Sequence, residues 1–468
     1  MGRNRREFKV ATNVVFTGIA DKGKCVGKTQ DGQVVFAEGA APGDVADVLV
    51  RPKKGFLEGR IQQIHTYAPD RTEPFCRHFE ICGDCRWQHI TYDAQLKHKQ
   101  SVVENALTRI GKVAVEEFLP IVPAEKSTYY RNKLEFTFSD RRYLSDAEMQ
   151  QGLSKDEPAL GFYRPGTFDR VINIDHCWLQ DEPTNALRNA IREIGLQQGL
   201  SFYDHKNQQG FLRQIVIRVT TLGQTMLIVS FGQKDPKRIA AFLDEVLARF
   251  PQITTTGYCI SAKLNNSIQD LDILTYQGKG YIEEQLGHVS FRISFKSFFQ
   301  TNTRQAVRLY SVAASFAGLT GTENVYDLYT GLGSIALFLA ANCRQVVGIE
   351  EVAPAIEDAR ENARLNSIEN AVFYAGDVKD ILTEDFARQH GKPDVLITDP
   401  PRAGMDARVV EMLLKLAPPR IVYVSCNPAT QARDLNLLSE QYQVLRVQPV
   451  DMFPHTSHIE SVALLELI

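Results

Sequence analysis

VYDLYTGLGSIALFLA, residues 325–340, reads as a buried strand, a glycine turn and an apolar helix in immediate succession. Working outward, VVGIE (346–350) is a second strand, followed by a helix over APAIEDARENARLN (353–366). AVFYAGD (371–377), DVLITDPPR (394–402) and RIVYVSC (420–426) continue the alternation. Strands alternating with helices at this spacing predict a parallel, doubly wound sheet. Ligands in such sheets bind beyond the carboxyl ends of the strands. Each strand here closes on a polar signal: Tyr329-Thr330-Gly331, Glu350, Asp377, Asp399 and Cys426. Five strand ends are therefore expected on one rim.

In the turn DLYTGLGS (327–334), Gly331 and Gly333 let the backbone turn tightly and approach a ligand. Glu350 lies 19 residues beyond Gly331, where a carboxylate accepts hydrogen bonds from ribose hydroxyls. These two features leave a nicotinamide dinucleotide open. The third glycine of that fingerprint is replaced by Ala336, however, and GIE with GD after the third strand suits S-adenosylmethionine better. DPPR (399–402) gives a rigid turn with two prolines, which projects Asp399 and the neighbouring carbonyls into the cleft. Cys426, at the end of the fifth strand, reads alone as a small buried hydrophobe or as a thiolate at the mouth of a site.

At 468 residues, two or three domains are expected. The boundaries fall at 1–66, 67–290 and 291–468. The first segment holds five short β-rich runs separated by glycines (FKVATNVVFTGIA, KCVGKT, QVVFAEG, DVADVLVR, FLEGRIQQIH), the pattern of an OB-type barrel. A Pro-containing linker follows. DAQLKHKQSVVENALTRIG (93–111) then reads as a helix, expected to pack on the C-terminal domain. Mixed strands and helices fill the chain to about 290 without a repeat.

A hydrophobic content of 44% with 23% charged residues is that of a globular chain with a sizeable core, and no apolar run is long enough for a membrane span. The basic start MGRNRREFKV has no apolar stretch behind it, and Arg6 argues against myristoylation, so a cytoplasmic protein is expected. The net charge of −3 carries no global sign of nucleic-acid binding, but residues 1–60 hold eleven Lys/Arg against seven Asp/Glu, three of them in RPKKG (51–55). That asymmetry is a solvated face or an RNA contact. Eight cysteines in a chain without an export signal suggest metal or catalysis rather than disulfides. Cys76, Cys82 and Cys85 form C-x5-C-x2-C, a spacing that calls for a ligand from elsewhere. Four thiolates suit a [4Fe–4S] cluster or a structural zinc, and His78 and His89 are further candidates for zinc. Cys25, Cys259 and Cys343 read as core or loop residues.

FFQTN (298–302), DLYTGLGS, GIE, DPPRAG, SCNPAT (425–430) and HIESVALLEL (458–467) together resemble the bacterial RNA uracil-5-methyltransferase family. GIADKGKCVGKT (18–29) and VVFAEGAAPGD (34–44) resemble its TRAM RNA-binding domain, and CRHFEICGDCRWQH (76–89) resembles the iron–sulfur loop of its ribosomal-RNA branch. The likeness runs from about residue 8 to the C-terminus. It implies an α/β protein: a C-terminal Rossmann-like methyltransferase domain, an N-terminal OB-like TRAM barrel and a central α+β domain carrying the iron–sulfur site. Gln300, Tyr329, Glu350 and Asp399 would hold S-adenosylmethionine, Cys426 would be the nucleophile and Glu460 the base. Cys177, in INIDHCWLQ, matches the distant fourth cysteine of a [4Fe–4S] cluster held with Cys76, Cys82 and Cys85. Ser334 stands where many relatives carry Asn.

The chemistry implied is methylation of uridine C5 in RNA, most naturally 23S ribosomal RNA, with transfer RNA the alternative. The iron–sulfur loop and TRAM segment favour the ribosomal branch. A monomer acting on RNA is expected, with no DNA and no membrane partner. A soft nucleophile added to C6 makes C5 an enolate carbon, and a carboxylate must later take the C5 proton. His455 and His458 flank that base in PHTSHIE and are read as structural. RNA contacts are expected from the barrel and from YYRNKLEF (129–136) and GFYRPGTF (161–168), with Arg131 and Lys133 toward phosphate and the aromatics either stacking on bases or packing in the core. Two other readings compete with this one. An exocyclic-amine methyltransferase wants an aromatic residue where Arg402 stands, and a non-catalytic RNA-binding protein would not need Cys426 and Glu460.

Overall fold

The computed structural model describes residues 8–20 and 23–468; the basic start over 1–7 and Asp21–Lys22 of the TRAM-like stretch lie outside the described residues. The chain forms two compact units, each drawn from separate segments. The first comprises Met1–Ser127, Pro401–Gly404 and Ser425–Ala463; the second comprises Thr128–Pro400, Met405–Val424 and Leu464–Ile468.

In the first unit, Lys9–Ile19, Cys25–Lys28, Val34–Glu38, Val45–Pro52 and Leu57–Thr66 close into a barrel. These are the five runs expected from the sequence. Alternate residues point inward with the period of a strand, so Val14, Phe16, Val35, Ala37, Ala46, Val48 and Val50 form the barrel core. Gly59 is required where strands approach closely, since a Cβ there would lie 2.3 Å from the Leu49 carbonyl oxygen. The helix Tyr92–Asn105 runs on into a π-turn over Ala106–Ile110, which packs against the helix Pro428–Leu438 of the same unit. Tyr442–Val450 pairs in parallel with Val115–Phe118.

The second unit contains a seven-stranded sheet in the order Leu274–Gln277, Thr255–Ile260, Thr225–Phe231, Leu212–Val219, Lys133–Ser139, Ala159–Tyr163, Val171–Asn173. It also contains the expected parallel array. Asn324–Leu328 pairs with Gln345–Glu350 on one side and Val395–Thr398 on the other. Ala371–Ala375 and Arg420–Ser425 flank these in turn. Chain order therefore reverses at Asn324–Leu328, the position where doubly wound sheets open a ligand crevice. All five residues of that strand are buried, the polar Asn324 and Asp327 with the apolar ones, as in a strand covered on both faces. Among the described residues, no helix is long and apolar enough to cross a membrane.

Candidate active site

The turn after Asn324–Leu328 is a run of unusual backbone. Tyr329, Gly331 and Gly333 all have positive φ, at 63°, 57° and 83°. A left-handed tyrosine is a strained residue, and such strain concentrates at functional sites. Gly331 is required by its φ and not by crowding, since a Cβ there would meet nothing within 4 Å. Open space therefore borders the turn.

Glu350 ends the neighbouring strand and holds this turn in place. Its Oε2 accepts from the Gly331 amide at 3.0 Å and its Oε1 from the Val352 amide at 2.9 Å. A carboxylate has about four lone-pair sites, so two remain for a ligand's hydroxyls. The sequence puts Glu350 at the end of this strand but does not show that it also braces the glycine turn.

Two residues that sequence reasoning missed complete this part of the site. Asp327 is buried; its Oδ2 accepts from the Thr330 hydroxyl at 2.5 Å and the Ala336 amide at 3.1 Å. Its Oδ1 is buried without a hydrogen-bond partner. Burial, with a contribution from the Glu350 charge, pushes its carboxyl up to about 7 against the pull of the Thr330 and Ala336 hydrogen bonds. Asp399 follows the strand Val395–Thr398, and its amide donates to the Leu328 carbonyl at 3.4 Å. Burial, and then the charge of Asp327, push its carboxyl up to about 7 as well. The charge of Asp327 thus bears on Asp399, and that of Glu350 on Asp327, within one group of acids. The second missed residue is Tyr310, buried on the helix Thr303–Ala317, with its hydroxyl 3.0 Å from Ser334 Oγ. Burial raises its hydroxyl above the ordinary value; hydrogen bonds with Ser334 and Gln300 oppose this, and the charges of Asp399 and Asp327 add to it. Gln300, Tyr310, Ser334, Asp327 and Asp399 are therefore one neighbourhood. Asp327 lay inside the quoted turn motif, but a buried acid followed by glycines gives no signal beyond that motif. Tyr310 had none.

An unpartnered buried carboxylate oxygen, an open space beside Gly331 and spare acceptor capacity on Glu350 fit a ligand carrying positive charge and ribose hydroxyls. The FFQTN loop is clasped from below: Asn132 Nδ2 donates to the Gln300 carbonyl at 2.8 Å and to Thr303 Oγ1 at 2.9 Å.

Cys426 and Glu460 lie in the first unit. Cys426 is half-buried and directly precedes Asn427, which caps the helix Pro428–Leu438. Asn427 Oδ1 accepts from the Ala429 amide at 3.1 Å, and its Nδ2 donates to the Arg402 carbonyl at 2.9 Å. Pro428 at the first helical position suits its fixed φ. The SCNPAT motif is thus a strand end, a cap and a helix start, and the helix N-terminus favours negative charge beside it. Glu460 is 5% exposed at the start of the strand Glu460–Leu467. Its neighbour Ser461 is hydrogen-bonded to Gln431 of that same helix, both side chains being fully buried. The helix that begins after Cys426 is therefore tied to the strand that begins at Glu460.

The two histidines separate. His458 is exposed, whereas His455 is buried with positive φ, its amide donating to Gln95 Oε1 at 2.8 Å and its Nδ1 3.1 Å from Gln95 Nε2. Burial and the nearby Lys99 push its imidazole down to about 4, so it is neutral at pH 7, as a structural group would be.

The expected cluster ligands fare differently. Cys76, Cys82 and Cys85 are half-buried in the first unit, and Cys177 is buried in the second, its amide donating to Asn185 Oδ1 at 2.8 Å. Among the described residues, no three His, Cys, Asp or Glu side chains form a group able to hold a metal ion.

The basic and aromatic stretches are in part structural. Lys24, Arg51 and Lys53 of the barrel all reach Glu58, whose carboxyl Lys24 in particular holds down to about 2. Tyr130 and Phe136 of YYRNKLEF are buried, Phe136 packing on Phe162 at 4.9 Å. Phe168 of GFYRPGTF is 70% exposed.

Comparison with known proteins agrees with this geometry. Residues 275–468 match the model of the tRNA (Uracil-5-)-methyltransferase family, and residues 11–61 match the TRAM domain. An uncharacterized RNA methyltransferase of Bacteroides thetaiotaomicron is 48% identical over 454 residues, covering 96% of this chain and 100% of that one. Another from Porphyromonas gingivalis is 50% identical over 458 residues, covering 96% and 98%. Among solved structures, the Pyrococcus abyssi tRNA (uracil-54, C5)-methyltransferase in complex with S-adenosyl-L-homocysteine matches with a TM-score of 0.74 at 27% identity, covering 97% of this chain and 99% of that one. With a strained glycine turn at the switch point of a doubly wound sheet and a TRAM barrel at its N-terminal end, this chain belongs to the RNA uracil-5-methyltransferase family and is an RNA methyltransferase.

Proposed function

We propose that the enzyme methylates uridine C5 in RNA through a covalent adduct between Cys426 and C6 of the ring. The observation that carries this reading is the tie between the helix that Asn427 caps after Cys426 and the strand that begins at Glu460. One nucleophile and one buried carboxylate on linked elements are what the chemistry needs.

The Cys426 thiolate adds to C6, and the ring becomes an enolate with nucleophilic C5. Bound S-adenosylmethionine supplies an electrophilic methyl group, transferred to C5 with S-adenosylhomocysteine leaving. Glu460 then takes the C5 proton, the C5–C6 double bond re-forms and the thiolate departs. Gln300, Tyr329, Glu350 and Asp399 hold the methyl donor, the orphaned Asp327 Oδ1 giving the same pocket a further negative pole. The target base must be unstacked for C6 to be reached.

The test is a pair of variants. Cys426→Ala is expected to abolish methylation while S-adenosylmethionine affinity stays within about threefold. Glu460→Gln is expected to stall after methyl transfer and accumulate a methyl-labelled, denaturation-resistant protein–RNA band. Methylation by Cys426→Ala at a substantial fraction of the normal rate refutes the covalent route.

For the substrate we propose 23S ribosomal RNA, on the resemblance of the loop over 76–89 to the ribosomal branch. Transfer RNA is the second reading, favoured by the name of the Pyrococcus neighbour, whose similarity spans the whole chain. Mapping 5-methyluridine by mass spectrometry in both RNAs from a deletion strain separates the two. The [4Fe–4S] reading rests on cysteine spacing and resemblance alone and contributes no step to this mechanism. Iron content after anaerobic purification, roughly four atoms per chain or none, decides it.

A further inference from the structure

We infer that a buried clamp on the helix Tyr92–Asn105, made by Tyr92, Gln95 and Lys99, is the positioning device for the loop that leads into the base; this rests on the assignment of Glu460 above. The three residues recur at three- and four-residue spacing, so they share one helix face. All three act on the segment 451–455 of the same unit. Lys99 Nζ donates to Asp451 Oδ1 at 2.6 Å and to the Phe453 carbonyl at 2.9 Å. Tyr92 OH donates to the other Asp451 oxygen at 2.9 Å. Gln95 holds His455 through its backbone amide and ring. Trp87, preceding the helix, donates its amide to the His455 carbonyl at 3.0 Å and its Nε1 to the Gly23 carbonyl at 3.1 Å.

The energetics argue for placement over stability. Lys99 and Asp451 are both 0% exposed, and a fully buried ion pair gains little over apolar residues of the same shape, because desolvation offsets the attraction. Burial pushes the Lys99 ammonium below its ordinary value against the pull of Asp451. What such a pair does supply is direction: Asp451 accepts from Lys99, Tyr92 and the Phe453 amide, so both of its carboxylate oxygens are met in one arrangement of the loop. From there to the base the chain is short and internally bonded, Thr456 Oγ1 donating to the Phe453 carbonyl and accepting from the His458 amide. Proton removal from C5 tolerates little misplacement of the carboxylate. A loosened clamp therefore slows the last step and leaves earlier ones alone.

The experiment uses the full-length protein with methyl-labelled S-adenosylmethionine and ribosomal plus transfer RNA from cells lacking the enzyme. Lys99→Met/Asp451→Leu, which keeps the site filled and apolar, and Gln95→Met are compared with Glu460→Gln. The expected result is at least a tenfold loss of turnover, S-adenosylmethionine affinity within threefold of the unmodified protein, and a labelled denaturation-resistant protein–RNA band. A folded double variant with less than a tenfold loss and no band overturns the inference. Should the double variant lack a thermal transition, Gln95→Met decides by the same two results. If Glu460→Gln forms no band, the base assignment has failed, and the tenfold turnover criterion alone judges the clamp.

Discussion

Replacing Asp327 with Asn probes the coupled acids directly. Asp327 and Asp399 both carry carboxyls pushed up to about 7, by burial first and by neighbouring charge second. An unfolded aspartate titrates near 3.9. Between about pH 4 and 7 the folded protein therefore holds protons that the unfolded chain has lost, and stability falls as pH rises through that window. A rise of roughly three pKa units at about 1.4 kcal/mol each amounts to about 4 kcal/mol for one acid. Because part of that rise is repulsion from neighbouring carboxylates, on the order of 2–4 kcal/mol is the span expected for removing one. Asn keeps the geometry: its amide oxygen can accept from Thr330 and Ala336, and its NH2 takes the place of the unpartnered Oδ1. The variant is thus expected to match the unmodified protein at pH 4.5 and exceed it at pH 8, by roughly 5–10 °C in the transition of a unit this size. Calorimetry at the two pH values, without methyl donor, is the assay. Equal transition temperatures at pH 8, or a variant less stable there than the unmodified protein, refutes the buried-pair account.

Other outcomes follow from the same geometry. S-adenosylmethionine should bind with net proton release near pH 6.5, because a cationic sulfonium draws the raised acids toward ionisation; titration calorimetry in buffers of different ionisation enthalpy reads it, and zero release counts against the pair lying beside the ligand. Asn427→Ala removes the helix cap and the bond to the Arg402 carbonyl, so a loss of about 1 kcal/mol of stability is expected together with a larger fall in turnover than in methyl-donor affinity. Gly331→Ala places a Cβ on a left-handed residue in open space, which should destabilise by about 1 kcal/mol and weaken the methyl donor's binding; an unchanged dissociation constant would mean that the turn does not face the ligand.

Much of the architecture follows from local pattern. The five barrel strands match the five β-rich runs nearly residue for residue, because period-two burial and intervening glycines are short-range signals. The parallel array was equally legible: strands alternate with helices at the expected spacing, and the marked residues Tyr329, Glu350, Asp377, Asp399 and Cys426 stand at or within two residues of the strand ends. The candidates Glu350 and Asp399 could be named from their places at strand ends, and Cys426 from the family resemblance. Asp327 could be seen but not understood, since its orphaned oxygen and its coupling to Asp399 exist only once two strands lie side by side.

Tertiary structure alone decided the rest. Tyr310 joins Gln300 to Ser334 across chain separations no motif spans, and Gln431 reaches Ser461 in the same way. No feature of the helical stretch over 93–111 sets Lys99 apart from its other polar residues. Lys99 is instead fully buried against Asp451, 352 residues away, which only folding could reveal. The cysteine spacing suggested a metal centre, yet spacing constrains chain length and not the direction of thiols, and among the described residues no three His, Cys, Asp or Glu side chains form a group able to hold a metal ion. Periodicity and turn chemistry are written in neighbouring residues, whereas the partner of a buried polar group is set by which distant segment desolvates it.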